Sequence, residues 1–114
     1  MGSGMGLDVL VDTDGMVDYL RGHEKAIAFL KGCLDRAILS AIVVAELYAG
    51  VKGQQEYQAL NDVVSLFNVI PISSEIAKAG GLLKQKRGKS HGTGLADAII
   101  AATVERQARN LWRR

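Results

Sequence analysis

Three carboxylates are the residues of this sequence best suited to chemistry. Asp12 follows an apolar run, whereas Glu46 and Asp97 each stand among apolar and small residues. Carboxylate oxygens are hard ligands that select Mg²⁺ or Mn²⁺, and such an ion can activate water and stabilise a phosphodiester during its cleavage. If the fold brings the three acids together, the sequence predicts a divalent-metal site for phosphoryl chemistry.

Each acid also has a structural explanation that requires no catalysis. Asp12 can be a turn residue at the end of a strand, and Glu46 can be ion-paired or exposed on a narrow polar stripe. Asp97 can lie in the first turn of a helix, where the helix dipole favours an acid by about 0.3–1 kcal/mol. The metal hypothesis therefore depends on convergence of the three residues, which sequence spacing does not establish.

The elements that must position these acids follow from the hydrophobic pattern. Strands are predicted at residues 7–11, 37–39 and 68–72, the last with Pro71 at an edge or a strand end. Helices are predicted at residues 16–20, 24–34, 42–51, 56–66 and 95–108. A further helix, capped by Ser73 or Ser74, is predicted to run through Ile76 to about Arg87 before a loop at 88–94. Ser40 is expected to cap the helix that carries Glu46. This alternation predicts an α/β fold with a mostly parallel sheet flanked by helices.

Length and composition limit the class of protein. The 114 residues suffice for a single domain, predicted over residues 5–114, and residues 1–4 resemble a cloning remnant before a second Met. The 48% hydrophobic content with 23% charged residues is typical of a folded protein. Apolar runs fall short of the ~20 residues of a membrane span, and no secretory signal is recognised, so we expect a cytoplasmic protein without a membrane partner.

The basic residues and the cysteine give weaker indications. A formal charge of +2 does not by itself indicate nucleic-acid binding, although basic residues gather at 84–91 and 106–114. These two groups can equally be solvated helix faces. Cys33 is the single cysteine and has no neighbours with zinc-site spacing, so it is expected to be a small buried hydrophobe.

Three ordered segments of the chain resemble the motifs of a known family. Val11-Asp12-Thr13-Asp14, followed by residues 18–22, looks like the opening of PIN domains of the VapC toxin family. Residues 44–51 are similar to the second motif of that family, and residues 90–92 with 94–102 are similar to the third. The order and the distances match, and the resemblance spans nearly the whole chain.

This resemblance implies a fold, an activity and a set of site residues. The fold would be a PIN-like three-layer α/β structure, and the activity that of a Mg²⁺- or Mn²⁺-dependent endoribonuclease toxin. Such toxins are usually homodimers, and a cognate antitoxin covers the active site with its C-terminal segment. Asp12, Glu46 and Asp97 match the catalytic, metal-binding acids of the family, while Thr13 and Asp14 match positions that support the site.

The chain departs from the family pattern in two places. Members generally continue into a final strand and a Thr-x-Asn or Thr-x-Asp segment, and this chain is C-terminally short of it, with Leu111 and Trp112 placed where that strand would begin. Gly15 stands where the family commonly has an apolar residue, and glycine in a helix costs about 1 kcal/mol relative to alanine.

Two other functions compete with the nuclease hypothesis. The first is a non-catalytic PIN-like module that binds an antitoxin or RNA, which the short C-terminus favours. The second is a haloacid-dehalogenase-like phosphatase, because residues 12–15 also resemble its Asp-x-Asp-Gly signature. That class would require a threonine or serine soon after Gly15, where Met16 stands. Metal binding by Asp12 and Asp97 would separate a nuclease from a binding module.

Overall fold

The structure of the chain is a computed structural model that describes residues 8–87 and 94–112. It comprises two compact units, Met1–Ile70 and Pro71–Arg114. The proposed cloning remnant, the Ser90-His91-Gly92 segment and the two terminal arginines lie outside the described residues.

The described residues of the first unit form three strands and four α-helices. In chain order they are β1 (Val9–Leu10), α1 (Thr13–Leu20), α2 (Glu24–Cys33), a short 3-10 helix (Leu34–Arg36), β2 (Ala37–Ser40), α3 (Ala41–Ala49), α4 (Gly53–Val64) and β3 (Asn68–Ile70). The strands form one parallel sheet in the order β1-β2-β3. The predicted parallel arrangement of these strands is therefore confirmed, and β3 lies at an edge, as Pro71 indicated.

The central strand explains the alternation of strands and helices in the sequence. All four residues of β2 are buried, as expected for a strand that pairs on both sides and is covered by helices. Helix α3 packs against β2 and β3, and α1 packs against α2 and α3. Cys33 is buried and its thiol donates to the carbonyl oxygen of Phe29 at 3.3 Å, which confirms its expected role as a small core residue.

Two helices of the first unit begin three residues earlier than predicted. Helix α1 begins at Thr13 rather than at Met16, because the side chain of Asp12 caps it. Helix α4 begins at Gly53, whose φ of +85° is readily adopted only by glycine. Ser40 caps α3 as predicted, since its hydroxyl accepts the amide hydrogen of Ile42 at 3.3 Å.

The second unit is built on the packing of α5 (Ser74–Arg87) against α6 (Leu95–Trp112). The helices approach closely where Gly80 faces Ile99, since a Cβ on Gly80 would lie 2.8 Å from Ile99 Cγ1. The predicted strand start at Leu111 and Trp112 is wrong, because the backbone of α6 continues as a helix through both residues. The preceding residues have no Pro or Gly that would end the helix earlier.

In the part of the chain that the structure describes, none of the helices combines the length and apolarity needed to cross a membrane.

Candidate active site

Asp12 lies at the junction between the sheet and α1. It follows β1 and Val11, whose amide donates to the carbonyl oxygen of Ile38 in β2 at 3.0 Å. Its backbone is extended, and its Oδ1 accepts the amide hydrogen of Gly15 at 2.8 Å. This bond satisfies one of the free amides at the start of α1 and fixes the direction of the carboxylate. Asp12 therefore has a structural role as well as its predicted metal-binding role.

Gly15 allows this close approach because it has no side chain. A Cβ at this position would lie 2.9 Å from Asp12 Oδ1 and 3.2 Å from Val11 Cγ1. The first distance is shorter than real Cβ contacts, so a larger residue would displace the carboxylate. The glycine that departs from the family pattern thus has a local reason in this chain, which its helix propensity alone would not reveal.

Glu46 is linked directly to the residue that follows Asp12. Its Oε1 accepts the hydroxyl hydrogen of Thr13 at 2.5 Å, across 33 positions of sequence. Glu46 is exposed, while Val43 and Leu47 of the same helix are buried. The apolar neighbours of Glu46 in the sequence therefore occupy other parts of α3, and its carboxylate needs no buried cation to compensate it.

The orientation of α3 is supported by its contact with α4. The half-buried Tyr48 donates its hydroxyl hydrogen to Oδ1 of Asn61, and its ring meets that of Tyr57 edge-on at 6.0 Å between centroids. Edge-to-face contacts of this kind stabilise packing beyond the area they bury. Tyr48 is therefore a packing residue two positions from Glu46.

A groove of about 460 Å³ opens beside Thr13 and Glu46 in the first unit. Its lining combines apolar side chains, two acids and two cations: Thr13, Val17, Leu20, Arg21, Glu46, Leu47, Gly50, Val51, Lys52, Glu56, Ala59 and Leu60. Nothing in the sequence indicates a role for Lys52, and Arg21 stands out only as part of the first motif. Their proximity to the groove depends on the packing of α1, α3 and α4, which leaves no local signal in the sequence.

Asp14 and Asp97 are both exposed residues in the first turn of a helix. Asp14 lies in α1, beside the capping residue Asp12, and Asp97 lies in α6 of the second unit. The helix dipole favours an acid at either position. Just beyond Asp97, Ala98 and Ile99 are buried, so α6 is anchored by the residues that follow the acid.

The described side chains fit a hard cation in their chemistry. The donors at the Asp12–Glu46 junction are carboxylate oxygens, which suit Mg²⁺ or Mn²⁺ better than zinc. Within residues 8–87 and 94–112, no group of three or more His, Cys, Asp or Glu side chains stands close enough to hold a metal ion. The structure thus links Asp12, Thr13 and Glu46 locally, and the convergence of Asp97 with them stays a prediction.

Comparison with known proteins identifies the family. The sequence model of the PIN domain matches residues 9–111. Ribonuclease VapC10 of Mycobacterium tuberculosis is 32% identical over 102 residues, which cover 87% of this chain and 76% of the relative. Among solved structures, a toxin–antitoxin complex from Klebsiella pneumoniae contains a chain with a TM-score of 0.75 and 30% identity, over 89% of this chain and 81% of that one.

A second solved structure supports the same assignment. FitAcB from Neisseria gonorrhoeae matches with a TM-score of 0.67 and 28% identity, over 88% of this chain and 82% of that one. The chain belongs to the PIN-domain family and, within it, to the VapC toxins. Its α/β PIN fold is thereby confirmed, and the haloacid-dehalogenase alternative loses its support.

Proposed function

We propose that the chain is a Mg²⁺- or Mn²⁺-dependent endoribonuclease toxin in which Asp12, Glu46 and Asp97 hold the metal. The observation that carries this proposal is the hydrogen bond between Thr13 and Glu46, which ties the second-motif acid to the strand end that bears Asp12. The naming of VapC10 as a ribonuclease supports the reaction class. A divalent ion at such a site supplies Lewis-acid stabilisation of the phosphodiester and lowers the pKa of a bound water.

The chain's own residues keep the proposed ligands in place. The amide of Gly15 donates to one oxygen of Asp12, which limits rotation of that carboxylate. The hydroxyl of Thr13 does the same for Glu46, and Asp14 adds negative charge at the start of α1. Partners that orient metal ligands in this way are typically worth about 10–100-fold in metal affinity or activity.

The proposal includes partners and location. The solved relative from Klebsiella pneumoniae comes from a toxin–antitoxin complex, which supports a cognate antitoxin that binds over the site and inhibits it. RNA is the proposed substrate, a homodimer the proposed assembly and the cytoplasm the proposed location. Residues 5–114 are proposed to act as a single PIN-like domain.

A non-catalytic binding module is the second candidate. In that case the fold would recognise an antitoxin or RNA without cutting it.

Cleavage of a mixed tRNA and mRNA fragment pool with added Mg²⁺ tests the two candidates. The parent chain is compared with its Asp12→Ala and Asp97→Asn variants and with EDTA. Loss of cleavage in all three controls is the expected result for a carboxylate-held metal. Metal-dependent cleavage that persists in Asp97→Asn would contradict the assignment of that residue. No cleavage by the parent, together with no saturable Mn²⁺ binding, would support the binding module.

A further inference from the structure

The groove beside Glu46 contains two cationic side chains and an apolar wall, neither of which metal binding would require. It is bordered by Thr13 and Glu46 at the proposed site and extends to Arg21 and Lys52. Its apolar wall includes Leu20, which is 40% exposed. A volume of about 460 Å³ lies within the range of roughly 300–1,000 Å³ that is usual for small-ligand pockets.

Two cations in this groove are available to a ligand. Arg21 and Lys52 are both exposed, and within the described parts of the chain neither side chain takes part in an ion pair. Arg21 follows the last turn of α1, and Lys52 precedes α4. Guanidinium and ammonium groups at a groove edge are suited to phosphate oxygens.

The acids in the groove are already engaged in other roles. Glu56 accepts the backbone amide hydrogen of Lys52 at 2.8 Å through Oε1, so it closes the turn before α4. Glu46 accepts from Thr13 and is the proposed metal ligand. With Glu46 compensated by a cation, Arg21 and Lys52 leave a positive charge surplus for a polyanion.

We infer that this groove binds a nucleotide of single-stranded RNA next to the cleaved bond, with Arg21 and Lys52 on its phosphates and the base against the aliphatic wall. The inference rests on the proposed function and extends it to the substrate. An unpaired strand fits best, because a base can reach an apolar wall only when it is splayed out of a duplex.

The inference is tested by binding rather than by cleavage. Fluorescence anisotropy measures the binding of a short labelled single-stranded RNA. All variants carry Glu46→Gln and are measured in EDTA, so that the RNA stays intact. The Glu46→Gln substitution also removes one negative charge from the groove. Arg21→Gln with Lys52→Gln is compared with Lys25→Gln with Lys31→Gln. The control pair makes the same charge change on exposed residues of α2 that do not line the groove.

The expected result is specific to the groove pair. Loss of two phosphate contacts should weaken binding by roughly 10-fold at low salt. The negative slope of the logarithm of the association constant against log salt should become smaller in magnitude by about 1.4, since each contact on a single strand contributes about 0.7. The control pair should leave the slope within error of the parent. Equal changes in both pairs would overturn the inference, because they would reflect net charge alone.

Gly50→Leu provides an independent test that changes no charge. Gly50 lines the groove at negative φ, and a Cβ there would meet only ordinary contacts, the nearest 3.7 Å from the carbonyl oxygen of Leu47. The added side chain should weaken RNA binding several-fold without changing the salt slope, because it obstructs the base and not the phosphates. Thermal unfolding followed by circular dichroism verifies that each variant is folded.

The outcomes separate this inference from the proposed function. RNA binding that depends on Arg21, Lys52 and Gly50, in a parent that cuts no RNA with Mg²⁺, would uphold the groove and refute the nuclease. If the parent cleaves RNA and none of the groove variants changes RNA binding, the proposed role of the groove in RNA binding is refuted, while the proposed nuclease function stands.

Discussion

The dual role of Asp12 leads to a prediction in which two substitutions at one position have different effects. Its carboxylate both caps α1, through the 2.8 Å bond from the Gly15 amide, and is proposed to bind the metal. Asp12→Ala removes both functions. Asp12→Asn keeps an oxygen that accepts the same amide hydrogen but removes the charge, and Asn caps helices about as well as Asp.

The magnitude follows from the cap. Replacing a capping Asp by Ala costs about 1 kcal/mol, within a range of roughly 0.5–2, whereas Asn should cost only a few tenths. Both variants lose the negative charge, so its interaction with the helix dipole and with Glu46 cancels in the comparison. The free energy of unfolding should therefore be about 1 kcal/mol lower for Asp12→Ala than for Asp12→Asn, a difference in melting temperature of about 4 °C.

Urea unfolding in EDTA measures this difference without any bound metal. Asp18→Ala is the control, an exposed residue of the same helix for which a change within about 0.5 kcal/mol is expected. Cleavage should fall by more than about 100-fold in both Asp12 variants, since even the loss of a ligand's supporting partner typically costs 10–100-fold. Equal stability of the two variants would refute the capping role, and full cleavage by Asp12→Asn would refute the charge requirement.

Three further predictions concern neighbours of the proposed ligands. Thr13→Val should reduce Mn²⁺ affinity about 10-fold by removing the hydroxyl bonded to Glu46, while Thr13→Ser should keep it; equal affinities in titrations of the two variants would contradict this. Gly15→Ala should lower cleavage about 10-fold because its Cβ would displace Asp12 Oδ1, and cleavage at the parent's rate would show that the carboxylate adapts. Gly80→Ala should lower the free energy of unfolding, measured in urea, by about 1 kcal/mol because its Cβ crowds Ile99. Gly81→Ala has no neighbour within 4 Å of its Cβ and should raise the free energy of unfolding by about the same amount. Equal shifts in the two variants would refute the close packing at Gly80.

The order of the elements could be predicted from the sequence, because it depends on local patterns. The buried strand at Ala37–Ser40, its Ser40 cap and the helix that carries Glu46 all follow from apolar runs and short-range capping. The ends of two helices were predicted less accurately than the order of the elements. Asp12 begins α1 earlier than its apolar pattern suggests, and α6 continues through Leu111 and Trp112 because the chain there has no helix-breaking residue.

Sequence alone identified Asp12, Glu46 and Asp97 as candidates, since motif order and residue type are properties of the chain itself. Only tertiary structure decided that Glu46 is exposed and held by Thr13, because that bond joins residues 33 positions apart. The same is true of the groove with Arg21 and Lys52, which exists only once separate helices pack together. Local interactions are fixed by neighbours in the chain, whereas the surroundings of a functional side chain are fixed by residues distant in sequence.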